Sequence, residues 1–244
     1  MKTKKTISIV LFGFLSIFAV MAQPQKKQPQ NPSQYPGSNK NQSLTVKDID
    51  GNIYHTVVIG TQTWMVENLK TTHYNDGTAI PLVTGNADWS DLITPAYCWY
   101  NNDATTYKDK YGALYNWFAV ETGKLAPIGW HVPTDAEWTT LTTYLGGEEE
   151  AGGKLKEAGT LNWHTPNTGA TNSTGFSALP GGWRSWEEVG EFSPLGGTIC
   201  LWWSSTEANL LNAWLKGLLY DDCKLNRAGD FYKMDGCSVR CVKD

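Results

Sequence analysis

The rhythm of hydrophobic and polar positions changes several times along the chain, and each change predicts an element. Over residues 44–69, LTVKDIDGNIYHTVVIGTQTWMVENL, short alternating runs are broken by Asp50-Gly51 and by Gly60-Thr61. Asp-Gly between alternating runs is a hairpin signal, so strands over 46–49, 53–59 and 63–66 form a small antiparallel meander. A further short strand is predicted at 97–100, YCWY, closed by the turn-prone Asn101-Asn102-Asp103. The period then becomes helical: in YGALYNWFAV, Leu114, Trp117 and Phe118 stand at i, i+3 and i+4, predicting a helix over 111–120. A better-marked helix begins at Thr134, where Thr134 and Glu137 make a capping box, Trp138, Leu141 and Leu145 fall on the buried side, and Gly146-Gly147 stop the helix. Asp135 and Glu137 therefore read as helix-start chemistry rather than as an acid/base pair.

A short helical piece follows at 151–158. Residues 159–182, rich in Asn, Thr, Gly and Ser with Trp163 and His164 embedded, form a long irregular stretch of the kind that marks a functional loop in a compact domain. Apolar segments at 176–179, 201–205, 213–220 and 237–242 read as strands. Strands grouped before and after two helices predict an α+β fold rather than a parallel βαβ sheet.

Composition changes this picture mainly at the N-terminus. Lysines at 2, 4 and 5, an apolar run over 7–20 and small residues up to Ala22 make residues 1–22 a signal peptide, too short in its apolar part to span a bilayer comfortably. The chain is expected to be exported, with no membrane span after cleavage. Residues 23–43, QPQKKQPQNPSQYPGSNKNQS, have almost nothing apolar to bury and read as a disordered tether. Residues 44–244 are expected to be one domain. The whole chain has a formal charge of -4; the three leader lysines and the three tether lysines, with no acid among them, leave the domain at -10. Phosphate backbones would be repelled, so nucleic acid is excluded as an expected partner. All twelve tryptophans fall in the domain; each brings a large apolar area and one N–H that needs a partner when buried, so most are expected in the core.

Little in the sequence points to chemistry. His55, His73, His131 and His164 have no second histidine at ligand spacing, and no HExxH, GxSxG, GxGxxG or P-loop pattern occurs, so neither a metal nor a cofactor is expected. Five cysteines, Cys98, Cys200, Cys223, Cys237 and Cys241, leave an odd thiol. Cys237 and Cys241 would lie roughly 13 Å apart along a strand and cannot bridge, whereas Cys223 with Cys237 and Cys98 with Cys241 remain open. Carboxylates at Glu187-Glu188, Glu191, Glu207 and Asp221-Asp222 keep a carbohydrate-active hydrolase as the alternative.

The ordered series TWMVENL, YCWYNND, YGALYNWFAV, GWHVPTDAEW, GGKLKEAG, TGFSALPGGWR, WWSSTE and CSVRCVKD resembles the Fibrobacter succinogenes major paralogous domain, over nearly everything from Val46 to Asp244. The resemblance implies a C-type-lectin-like fold, with two helices packed on small twisted antiparallel sheets and long loops on one side. GWHVPTDAEW also resembles the formylglycine-generating enzyme group, but no GGSW-type context surrounds Cys223, Cys237 or Cys241, and that activity is kept only as part of the alternative. The Glu-Pro-Asn and Gln-Pro-Asp tripeptides of calcium-dependent lectins are absent.

In the resembled fold the last strands form a platform, here Trp202 to Tyr232. WWSSTE is expected to be a platform strand with one indole inward and the other outward, and 221–235 an exposed loop. The implied function is a secreted or cell-surface binding or adhesion module that takes a glycan or protein through its C-terminal face and performs no chemistry. That face resembles the one diversified in retroelement variable proteins. The expected contacts are Trp183, Arg184, Trp186, Trp214, Asp221, Asp222, Lys224, Asn226, Arg227, Asp230 and Tyr232, which combine rigid aromatic area with hydrogen bonding.

Overall fold

The computed structural model describes residues 44–187, 190–193 and 197–244. The expected leader, the tether and Glu188 lie outside the described residues.

The N-terminal meander forms as its pattern requires. β1 (Thr45–Lys47), β2 (Ile53–Ile59) and β3 (Gln62–Met65) pair antiparallel in sequence order. The first turn is held by Asp48, whose carboxylate accepts from the Asn52 amide at 2.9 Å and from the Tyr54 hydroxyl at 2.6 Å, while Gly51 takes φ +83°. A side chain there would sit in the left-handed region that favours glycine. The sheet is completed by two late strands, β6 (Trp130–His131) and β10 (Val242–Lys243), in the order β1-β2-β3-β10-β6, so both ends of the domain meet in one sheet.

Between these strands the chain builds a two-stranded sheet of β4 (Tyr97–Trp99) and β5 (Ala113–Tyr115), with helices α1 (Asn86–Ser90), α2 (Ala104–Tyr111) and α3 (Trp117–Glu121) around it. The single helix expected over 111–120 is therefore a correction. Gly112 at φ +75° ends α2, residues 113–115 pair with β4, and the Asn116 side chain accepts from the Ala119 amide to start α3. All three residues of β5 are buried, and a short strand buried on both faces mimics the apolar content of a helix stripe.

α4 (Asp135–Tyr144) carries the expected capping box, with the Glu137 amide bound to Thr134 Oγ1 at 3.2 Å and the Glu137 carboxylate returned to the Thr134 amide at 2.8 Å. α5 (Glu148–Leu155) follows. The irregular stretch after it is strapped down rather than loose. Trp163 and Phe176 are fully buried, Trp163 Nε1 donates to Ala178 O, and Lys156 Nζ donates to Leu219 O and Asp222 O.

The last sheet is an antiparallel meander of β7 (Ile199–Glu207), β8 (Asn212–Leu219) and β9 (Asn226–Tyr232). Two expectations are corrected here. Residues 226–232 are a strand and not part of an exposed loop. Trp202 and Trp203 do point to opposite faces, yet both are fully buried, because β7 has a core on each side. Trp202 packs with Trp138 and Phe176 beneath α4, and Trp203 joins Tyr115 and Leu215 on the other face. The five cysteines are all free thiols, so neither pairing left open by spacing forms.

The architecture is mixed α+β, antiparallel in each sheet. Among the described residues no helix is long and apolar enough to cross a membrane.

Candidate ligand-binding face

β9 is the outer strand of the last sheet, and most of the expected contact residues gather on or beside it. They separate into two groups rather than one patch.

The first group faces α4 and α5. Arg227 directs Nε and Nη2 at the two carboxylate oxygens of Asp135, at 2.8 and 2.9 Å, and its guanidinium carbon lies 3.4 Å from the centre of the Trp214 ring. The register shifts between Ala213 and Leu215, so extra β9 backbone stands opposite Trp214. The indole lies over Gly229, where an added Cβ would come within 2.5 Å of it. This fixes a half-exposed aromatic ring between glycine backbone and a planar cation. Lys216 is buried beside it and, among the described residues, has only Glu148, at 3.9 Å, for an ion-pair partner; burial holds its ammonium below the usual lysine range. In the β8–β9 connection Lys224 pairs with Glu149 at 2.9 Å, its amide donates to the Asp222 side chain, and Asp221 is exposed.

The second group lies at the other end of β9. Trp186 and Tyr232 meet edge to face at 4.7 Å, and Trp183 meets Phe231 at 5.5 Å. The buried carboxylate of Asp235 accepts from the backbone amides of Trp186 (3.1 Å) and Tyr232 (3.0 Å), tying the two aromatic residues to one anchor. Burial pushes this carboxyl up to about 7, against the pull of those two donors, and nearby Glu187 adds to the rise.

Arg184 corrects the expectation of an exposed contact. It is fully buried, its guanidinium lies 4.6 Å from the Trp89 and Phe192 rings, and it donates to the carbonyls of Val83, Thr84, Gly85 and Gly190 and to Asn86 Oδ1. All this capacity goes into pinning the segment before α1 to the segment after Trp183. Asn226 and Asp230 stand on β9, Asp230 exposed and Asn226 half-buried.

Sequence reasoning missed a groove on the face of the sheet opposite Trp214 and Arg227. Ile199, Leu201, Leu215, Gly217, Leu219, Ala228 and Phe231, with Asn226, line an open cavity of about 180 Å³ with almost no polar surface. It exists because Gly217 and Ala228 place little side chain on that face. The signal was present in the alternation of Leu215, Gly217 and Leu219, but only with the register does it become a surface.

Elsewhere, four of the five cysteines are buried. The thiols of Cys98 and Cys200 are pushed up to about 12 by burial, and those of Cys237 and Cys241 are raised by the same cause. None is poised as a thiolate. His131 is clamped between Glu137 at 2.7 Å and Asp244 at 2.6 Å. Among the described residues no cluster of His, Cys, Asp or Glu is placed to hold a metal.

Fold and face together describe a small antiparallel α+β domain that displays an outer strand between aromatic clusters. Residues 57–243 match the Fibrobacter succinogenes major domain, and the chain belongs to that family. No curated protein and no solved structure matches it.

Proposed function

We propose that this protein is an exported, surface-displayed binding module of C-type-lectin-like fold. It recognises a protein or glycan through the β8–β9 region and performs no chemistry on it. The observation that carries this reading is the arrangement of Trp214, Arg227 and Asp135. A half-exposed ring and a planar cation are held in place before any ligand arrives, which lowers the ordering cost of binding and combines the two residue types most enriched at binding hot spots. The lectin-like assignment draws support from the first and last strands sharing one sheet, with α4 packed against a separate late meander. Export rests on the leader pattern of residues 1–22.

The test is a glycan and protein array probed with residues 44–244, repeated with Trp214→Ala and Arg227→Ala. Loss of the detected binding in both variants, with unchanged thermal unfolding, supports the reading. Binding that survives both, or turnover of any bound substrate, overturns it.

A further inference from the structure

The groove and the outer edge of β9 narrow the ligand class. A cavity of about 180 Å³ is below the roughly 300–1,000 Å³ of sites that enclose a whole small molecule. It has room for one large side chain, and its aliphatic walls offer a sugar ring almost nothing to hydrogen-bond.

The groove opens beside an unpaired strand edge. β9 bonds to β8 on one side, and among the described residues no backbone group of residues 226–231 bonds to protein outside that pairing. Exposed edges of this kind accept added strands, with main-chain bonds supplying affinity and alternate side chains supplying selectivity.

Charge selects the partner further. Asp230 precedes Phe231, Asp221 follows the Leu219 end of the groove, and Glu187 follows Trp186; all three are exposed and none makes an ion pair or hydrogen bond with a described group. Of the nearby cations, Arg227 is matched by Asp135, Lys224 by Glu149 and Lys233 by Glu207, and the buried Lys156, which donates to Leu219 O and Asp222 O, lies near both Asp221 and Asp222. The unmatched charge around the groove is therefore negative.

We propose that β9 receives an extended, basic segment of a partner protein as a fourth strand, with one apolar side chain leaning over Ala228 into the groove. This rests on the reading of the face as a binding site and assigns it a polypeptide rather than a glycan.

Four fluorescent peptides test it against the full chain by anisotropy: acetyl-Lys-Val-Lys-Leu-Lys-Val-Lys-amide, its counterpart with Glu for every Lys, and two versions of the basic peptide, each N-methylated at one of the two sets of alternate amides. The basic peptide is expected to bind, the acidic one to bind at least about tenfold more weakly, and only one of the two N-methylated sets to lose about tenfold or more, since only one set faces β9. Ala228→Leu, which fills the groove, is expected to weaken the basic peptide comparably. The peptide-side changes keep the test decisive even if that variant misfolds. Equal binding of basic and acidic peptides, equal effects of both methylated sets, or no binding at millimolar peptide overturns the proposal. So does a dimer in solution that Asp230→Lys dissociates, which would assign the edge to a second copy. A glycan bound on the array and lost in Trp214→Ala would sink this inference while leaving the proposed face in place.

Discussion

Trp202 and Trp203 are neighbours in β7, yet their indoles lie in different cores: Trp202 Nε1 donates to Asn68 Oδ1 at 2.8 Å on one side of the strand, and Trp203 Nε1 donates to Tyr115 O at 2.9 Å on the other. The strand that opens the last sheet is thus the partition of the domain. Replacing either with alanine leaves a large cavity, although each acceptor keeps another donor, Arg240 for Asn68 Oδ1 and the Cys237 amide for Tyr115 O, and each is expected to cost about 3–5 kcal/mol. Urea unfolding of the two variants checks this; a loss near 1 kcal/mol for either would show that its core collapses to fill the space.

Asn68 serves a second buried donor. Arg240 is fully buried and has no carboxylate partner among the described residues; its Nε and Nη2 both donate to Asn68 Oδ1, at 3.1 and 2.7 Å. Burial lowers the guanidinium from its usual value to about 10. Asn68→Ala removes the shared acceptor of Trp202 Nε1 and of Arg240 Nε and Nη2, leaving Arg240 its bond to Phe176 O, and is expected to cost about 3–5 kcal/mol, at about 1–3 kcal/mol for each buried group left unsatisfied. Asn68→Asp, which supplies a countercharge, should lose much less. Equal destabilisation of the two variants in denaturant titrations would count against a role for charge.

How much of this was legible in the sequence follows from how local each cause is. The capping box of Thr134 and Glu137 and the turn at Asp50-Gly51 are complete within a few residues, and both appear as read. The break at Gly112 was misread because what selects a strand over 113–115 is β4, more than ten residues upstream. Arg184 was misplaced for the same reason. Nothing near it in sequence says that carbonyls about a hundred residues earlier will consume its guanidinium. The groove depends on Gly217 and Ala228 lying in register, which periodicity alone does not give.

The Arg227–Asp135 pair is partly exposed, and such pairs contribute about 0–1 kcal/mol. Asp135→Asn should therefore change the Tm little while freeing Arg227 from its place against Trp214. Preorganisation predicts weaker binding by this variant through the loosened Arg227 guanidinium. Unaltered affinity, measured on whichever ligand the wild type retains, would make Arg227 a contact that needs no holding.

His131 joins α4 to the end of the chain through its two carboxylate partners. Burial draws its pKa down, but the hydrogen bonds to Asp244 and Glu137 outweigh this and leave it raised. A raised folded value means that the clamp contributes fully below the unfolded value near 6.5 and is lost as pH rises through the folded value. The stability difference between wild type and His131→Gln should thus shrink from pH 6 towards pH 9. A difference that grows over that range would refute the assignment.

Asp235 is the residue through which pH should reach the proposed binding face. Its carboxyl is buried against the amides of Trp186 and Tyr232, and burial dominates, raising it to about 7. For an acid raised in the folded state, the contribution is fully present below the unfolded value near 3.9 and disappears as pH climbs through about 7. Asn is neutral throughout this range, so wild type should lose stability relative to Asp235→Asn between pH 5 and pH 8, and tryptophan emission from Trp186 should shift over the same interval only in the wild type. The two backbone donors pull the other way, and the slope decides between them. If wild type instead gains on Asp235→Asn as pH rises, the amides hold the carboxylate ionised, and the Trp186–Tyr232 pair is anchored by a permanent charge rather than by a titrating one.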